Sequence, residues 1–538
     1  MQFDYIIVGA GSAGCVLANR LTENVSDNVL LLEAGAKPNM LINIPGAYST
    51  LHRTKIDWGF WSEPQKHVRN RQLYVPRGKV LGGCSSTNAM AYVRGNPKDY
   101  DHWEGLGNNG WSYKDVLPYF KRSEHHEEFN DDYHGLTGEL NVSFSKHPHP
   151  LTKVFLKACA EKGIVFNEDY NGGQQMGASL LQFTIKNNKR HSASEAFLKP
   201  ILYRKNLTVR TKVYVRKIII ENGKATGVEL VTDNKTTETI HCTKEVILSA
   251  GTIQSPKILL HSGIGDAALL NSLGIDIKLH LKGVGKNLQD HIWTPATSLC
   301  NIKTANNAIK PVNMVRELLN YLFFKKGPFC NSPIEANAFI KTDASLVTPD
   351  IQFHFAPIHI GNDYNHDLYD IKTIPTTNGF AIMNILLHPE SRGSVSIKNN
   401  DPFDAPVIQP NFLSKDKDLL VLLKGLKKAI EVMGATSFKS YSPGGINFPL
   451  NATNDEELTD HIKKSLETLY HPVGTCKMGI DEMAVVNERL QVKEVKNLRV
   501  IDASIMPEII SGNTNAATMM IAEKGADMIK GTARGGRV

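Results

Sequence analysis

Short apolar runs, each closed by glycine, punctuate the first part of the chain. Phe3–Val8 (FDYIIV) is largely β-branched and apolar over consecutive positions, which predicts a buried strand. It runs into Gly9-Ala10-Gly11-Ser12-Ala13-Gly14 and then CVLANRL, a helical stretch. A second apolar run, Asn28–Leu32, ends at Glu33. Farther on, 206–232 holds two β-rich runs joined through Asn222-Gly223, a dipeptide that favours a hairpin turn. Glu245–Ala250 (EVILSA) repeats the opening pattern: a buried-type strand, then Gly251, then a helix predicted from about Thr252. Between roughly Asn301 and Lys464 the glycine motifs stop. Period-2 runs such as IQFHFAP and GSVSIKN take over and predict an antiparallel sheet. Near the end, NLRVIDA places Asp502 at the close of an apolar strand, and Asn513-Thr514-Asn515 can cap a helix through Lys524 and Ile529. No internal repeat marks the chain, and the terminal GTARGGRV is expected to be disordered.

The opening unit has the parts of a dinucleotide-binding turn. Gly9 permits the tight exit from the strand, Gly11 lets a pyrophosphate approach the backbone, and Gly14 lets helix pack on strand. The helix N-terminus offers its free N–H groups to the phosphates. Glu33, which follows Gly9 by 24 residues, is placed to accept from ribose hydroxyls, and its charge repels a 2′-phosphate. These features leave NAD and FAD both open. A second cluster, Arg77–Gly95 (RGKVLGGCSSTNAMAYVRG), combines paired glycines, small hydroxyl residues and an Asn, which suits a backbone laid against a flat ligand.

Composition narrows the function by exclusion. The 538 residues are 41% hydrophobic and 21% charged, ordinary for a globular chain of several domains. A net charge of +7 is mild at this size, and its densest cluster is only Lys186–Arg190, which argues against nucleic-acid binding. Seven cysteines with no CxxC argue against a disulfide framework or a zinc site and for a reducing, cytoplasmic setting. His125-His126 and the other histidines lack ligand spacing, so no metal is expected. No signal peptide and no apolar stretch of about 20 residues is found, so no membrane span is expected.

One segment remains, Tyr470–Gly479 (YHPVGTCKMG), where a His followed directly by Pro reads as a well-fixed imidazole. Together with Arg77–Gly95, Gly251–Gly265 (GTIQSPKILLHSGIG) and Leu498–Ile529, it resembles the motifs of the glucose–methanol–choline (GMC) flavoprotein oxidoreductases, in the family's order and across essentially the whole chain. The resemblance implies FAD and an α/β fold. A Rossmann-like doubly wound FAD-binding domain (1–150, 206–300 and 465–538) is interwoven with an α+β substrate domain built on an antiparallel sheet (151–205 and 301–464).

The resemblance implies cofactor contacts at Gly9, Gly11, Ser12, Ala13, Gly14, Glu33, Ala34, Gly82, Gly83, Thr87, Asn88, Ala89 and Met90. It adds Val213 against the adenine, then Ala250, Gly251, Asp502, Ala503, Asn513 and Thr514. Cys84 stands where many members have Ser, and Thr87 where members with covalent flavin have His, so non-covalent FAD is expected. The catalytic pair reads His471 and Asn513. The hydroxyl proton of an alcohol goes to His471 and its hydride to flavin N5, giving an aldehyde or ketone, as in a choline dehydrogenase-like alcohol dehydrogenase. The electrons pass to an external acceptor, whether quinone, redox protein or O2. The alternative keeps the fold without net redox chemistry, as in hydroxynitrile lyases or light-driven fatty-acid decarboxylases, which share the Thr87-Asn88 pair. Asn513 reads also as a helix cap, a role compatible with the catalytic one. His291 (GKNLQDH) reads as packing near the cofactor, Glu335 (PIEANAF) as a substrate contact or a loop tie, and Cys476 as a buried small residue.

Overall fold

The computed structural model describes residues 2–232, 235–361, 364, 367–370, 372–449 and 454–531. Residues 532–538 of the predicted disordered tail lie outside them. Two seven-stranded sheets organise the chain.

The first is mixed, with the order Leu207–Thr211, Val29–Glu33, Phe3–Val8, Thr237–Leu248, Lys224–Thr232, Val213–Glu221. Its parallel core pairs Ile6 with Leu30 on one side and with Val246 on the other. Leu498–Val500 adds a further parallel strand against Val246–Leu248. The strand Thr237–Leu248 changes partners along its length. Its first half closes an antiparallel meander whose hairpin turns at Asn222 and Gly223, both at positive φ, as the dipeptide predicts.

The helices Ser12–Leu21 and Asn515–Lys530 pack on this sheet, as do Gly251–His261 and its neighbours. Two glycines make the approach possible. A Cβ on Gly14 would sit 1.9 Å from the carbonyl oxygen of Gly9, and Gly9 itself has φ +101° with Ser249 O only 2.5 Å from the place of its missing Cβ. Arg20 and the fully buried Glu523 then lock the two helices through Nε–Oε2 and Nη2–Oε1 bonds of 2.8 Å each.

The second sheet is antiparallel, in the order Ile446–Phe448, Ile292–Leu299, Gly379–Leu386, Ile351–Ala356, Ala336–Ile340, Gly177–Leu180, with Glu467–Thr468 also on Ile292–Leu299. The alternation in IQFHFAP is used as a strand uses it. Ile351, Phe353 and Phe355 pack under the helix Asp416–Met433 with Leu422 and Leu426, while His354 and Ala356 face a cavity. GSVSIKN departs from expectation. Only Ser394–Ser396 is a strand, and it forms a ribbon with Val407–Gln409 outside the large sheet.

Candidate functional site

A cavity of about 840 Å³ lies between the two sheets. Three helices begin at its wall: Ser12–Leu21, Gly251–His261 and Asn515–Lys530, and none has a side-chain N-cap. A helix N-terminus carries free N–H groups and partial positive charge, so the convergence favours an anionic ligand. Ser12 Oγ donates to Asn515 Oδ1 at 2.6 Å and ties the first of these ends to the last.

The predicted cofactor contacts fall on this wall. Gly9, Gly11, Ser12, Ala13, Glu33 and Ala34 border it from the first strand–helix unit. Gly83, Thr87, Asn88, Ala89 and Met90 follow from the second glycine cluster. Val213, Ala250, Gly251, Asp502, Ala503, Asn513, Thr514 and His471 complete it. Gly14 and Gly82 are not on the wall: the first serves helix packing, and the second has φ +90° with Ser86 Oγ 2.3 Å from the place of its missing Cβ.

Several side chains have structural partners the sequence does not show. Both oxygens of Glu33 accept backbone N–H groups, from Ala10 at 2.9 Å and Gly35 at 2.8 Å, and burial pushes its pKa up to about 7. Asp502 accepts from Gly251 N and Ser255 Oγ on one oxygen and from Ser504 N on the other, so it braces the start of the second helix against the last strand. Asn88 Oδ1 accepts from Arg190 Nη1 at 2.9 Å and from Met90 N at 3.0 Å, which holds Met90 at φ +64°. Asn513 is not the helix cap: Thr514 is the N-cap residue, without a side-chain bond of its own. Glu335 borders the cavity and also ties a neighbouring segment. It accepts from His149 N and Thr152 Oγ1 at 2.6 Å each and from Asn331 Nδ2 at 3.3 Å, holding the N-terminus of Pro150–Glu161. Cys476 is fully buried, and burial drives its thiol pKa well up, as suits an inert side chain.

At the centre of the wall the hydrogen bonds assign the imidazole protons of His291 and His471. His291 Nε2 lies 3.0 Å from the carbonyl oxygen of Leu387, which only accepts, so Nε2 carries the proton and Nδ1 a lone pair. His471 Nδ1, 2.9 Å from that lone pair, must donate to it. His471 Nε2 is therefore unprotonated, and it accepts from Asn513 Nδ2 at 3.2 Å. His291 is more than packing: it fixes the tautomer of His471. The backbone N–H of His471 donates to Asp290 Oδ1 at 2.8 Å, and Arg77 Nη2 donates to the carbonyl of Tyr470, so the ring is held from both sides. Burial, then His291, His354 and Arg77, hold the His471 pKa well below its ordinary value.

Sequence reasoning did not single out His354, Asp290 or Arg190. His354 borders the cavity, and burial lowers its pKa to about 3 against an opposing contact with the Asn513 side chain. Its signal was present, since it occupies an inward position in a period-2 run. Arg190 is buried without a carboxylate and is lowered to about 9 by desolvation, its bonds going to carbonyls of Ile42 and Asn88.

The chain matches the family model for GMC oxidoreductases over residues 3–293 (N-terminal) and 389–522 (C-terminal). It belongs to the GMC oxidoreductase family. It is 40% identical to an alcohol dehydrogenase [acceptor] of Pseudomonas putida, over 98% of this chain and 96% of that one. It is also 40% identical to an oxygen-dependent choline dehydrogenase of Sinorhizobium fredii, over 99% and 96%. Among solved structures it is similar to the pyridoxine 4-oxidase of Mesorbium loti, with 30% identity, a TM-score of 0.88 and 98% of each chain covered. A formate oxidase of Aspergillus oryzae aligns over 98% of each chain with 25% identity and a TM-score of 0.91.

The family is one of FAD-dependent enzymes, and this wall suits FAD. Three helix N-termini meet there, Gly251 N of one of them already donating to Asp502, and at Gly11 the nearest atom to the missing Cβ, Ser249 O, is 4.0 Å away, so a ligand can lie against the backbone.

Proposed function

We propose that this GMC oxidoreductase oxidises an alcohol to an aldehyde or ketone and passes the electrons to an external acceptor. One observation carries the reading: the lone pair of His471 Nε2 opens on the cavity beside the Asn513 amide, 3.2 Å away. An alcohol in that position gives its hydroxyl proton to Nε2. Asn513 Nδ2 donates to the oxygen as negative charge develops, a contribution of the oxyanion-hole kind. His291 keeps Nδ1 of His471 protonated, so its one lone pair is at Nε2, where an entering alcohol takes the place of the Asn513 bond. FAD, when bound, supplies the hydride acceptor.

Gly11, Ser12 and Ala13 would hold its pyrophosphate through their amides, Glu33 its ribose and Val213 its adenine. Thr87 to Met90, with Asn513 and Thr514 at the start of the Asn515–Lys530 helix, would hold the flavin. The cofactor is held without a covalent bond, because the Thr87 side chain cannot make the link. Acid precipitation checks that point: the flavin is expected in the supernatant. On this reading 1–150, 206–300 and 465–538 hold the cofactor, and 151–205 and 301–464 cover the substrate.

The test is anaerobic. A panel of alcohols is mixed with the holoenzyme and the loss of flavin absorbance followed. His471→Ala is expected to keep its flavin while reduction slows at least about 100-fold, the lower end for loss of a general base. Reduction at the wild-type rate would remove His471 from the chemistry.

A further inference from the structure

We infer that the helix Pro311–Leu319 and its π-helical continuation Asn320–Phe324 dock the protein on an anionic lipid surface, with the mouth of the cavity against it. Among the described residues this segment has an unusual distribution of apolar side chains. Val312, Val315, Leu319, Leu322 and Phe323 recur at i, i+3, i+7, i+10 and i+11, one stripe of a helix, and all are exposed. Val312 is 84% and Phe323 74% exposed, and Phe324 beside them is 68%. The opposite side of the same helix is already used: Met314, Glu317 and Leu318 line the cavity, and Tyr321 is buried with its hydroxyl on Asn188 O at 3.1 Å. A helix apolar on two sides has two partners, and here only one is within the protein.

The charges around the stripe say what the second partner is. Residues 300–331 carry Lys303, Lys310, Arg316, Lys325 and Lys326 against one acid, Glu317. All five cations are exposed, Lys303 and Arg316 at the edge of the cavity, and Glu317, which also borders the cavity, is paired with Arg316 at 2.9 Å, leaving Lys310, Lys325 and Lys326 beside the stripe. An exposed aliphatic and aromatic stripe flanked by lysines is the composition of an interfacial helix on anionic lipid. Met40 and Leu41 extend the patch: both are exposed, and Leu41 borders the same cavity. The short turn that follows them, Pro45–Leu51, packs so closely on Pro328 and Phe329 that a Cβ on Gly46 would fall 2.7 Å from Phe329 Cα. No helix among the described residues is long and apolar enough to cross a membrane, so the segment lies on the surface instead.

Flotation of the flavin-loaded protein with vesicles tests this. Phosphatidylcholine vesicles containing phosphatidylglycerol are expected to carry the wild type, and pure phosphatidylcholine vesicles much less of it. Lys325→Gln and Lys326→Gln are each expected to weaken binding to the anionic vesicles about fivefold, as added salt also does. The double variant Val315→Glu, Phe323→Glu is expected to lose at least about tenfold, with flavin content and turnover of a water-soluble alcohol unchanged. The proposal fails if the wild type does not float, or if the double variant floats equally well. It fails too if sedimentation velocity shows a lipid-free dimer that the double variant dissolves, since the stripe would then be covered by a second copy of the chain.

Discussion

The two walls of the cavity are built by different means. The wall from the mixed sheet is made of backbone: uncapped helix ends and glycines at Gly9, Gly11, Gly83 and Gly251, where the absence of a side chain is the working feature. The wall from the antiparallel sheet and Pro311–Phe329 is made of side chains: His354, Met314, Leu318, Ile334, Phe329. A backbone wall tolerates almost no substitution at its glycines but carries little information about which alcohol is used. A side-chain wall tolerates exchange and sets the substrate. His471 and Asn513 come from loops where the two meet, which suits the proposed role of a pair reaching both cofactor and substrate.

The sharpest way to break this contrast is just behind the backbone wall, at Gly14, which sets the first helix against its strand. Gly14→Ala places a methyl 1.9 Å from the Gly9 carbonyl oxygen, and a loss of more than about 4 kcal/mol is expected, read as absent flavin and a collapsed melting transition. On the other wall, Met314→Ala is expected to leave flavin content intact and to change KM for the alcohol more than the rate of flavin reduction.

His291→Ala comes next in size. It leaves His471 free to take the wrong tautomer, and a drop of roughly 10–100-fold in flavin reduction is expected. His291→Asn recovers most of it, because an amide both donates to Leu387 O and accepts from His471 Nδ1. A merely structural His291 would give equal losses in the two variants.

Glu335 separates two views of the substrate wall. If it only ties the Pro150–Glu161 helix, Glu335→Gln costs about 1–3 kcal/mol of stability and leaves KM unchanged. A large rise in KM confined to cationic alcohols would show instead that the carboxylate faces the substrate.

The sequence is most informative about the backbone wall, and for a physical reason. A tight turn, a close helix–strand approach and a phosphate cradle each demand glycine at one place, so Gly9, Gly11 and Gly14 announce their geometry. The hairpin at Asn222-Gly223 is legible in the same way. The side-chain wall depends on which residues of distant strands come together, and no local pattern encodes that. IQFHFAP signals a strand, but that His354 faces the cavity depends on the helix Asp416–Met433 covering the other side. GSVSIKN shows the same limit, since its alternation is real yet its partner is a local ribbon. The role of His291 was hidden because a tautomer is set by a carbonyl, Leu387 O, almost a hundred residues away in the chain.

The central claim is that His471 Nε2 is a neutral base facing the substrate, and the pH dependence of anaerobic flavin reduction tests it most directly. A base works only unprotonated. Burial first, then His291, His354 and Arg77, hold His471 well below 6.5, so lowering the pH through 6.5 should not yet protonate it. The wild-type rate of reduction by a good alcohol is therefore expected to hold through pH 6.5 and fall only at lower pH, with that acid limb absent from the slow His471→Ala enzyme. An acid limb centred at or above pH 6.5, or one that survives in His471→Ala, would contradict the account.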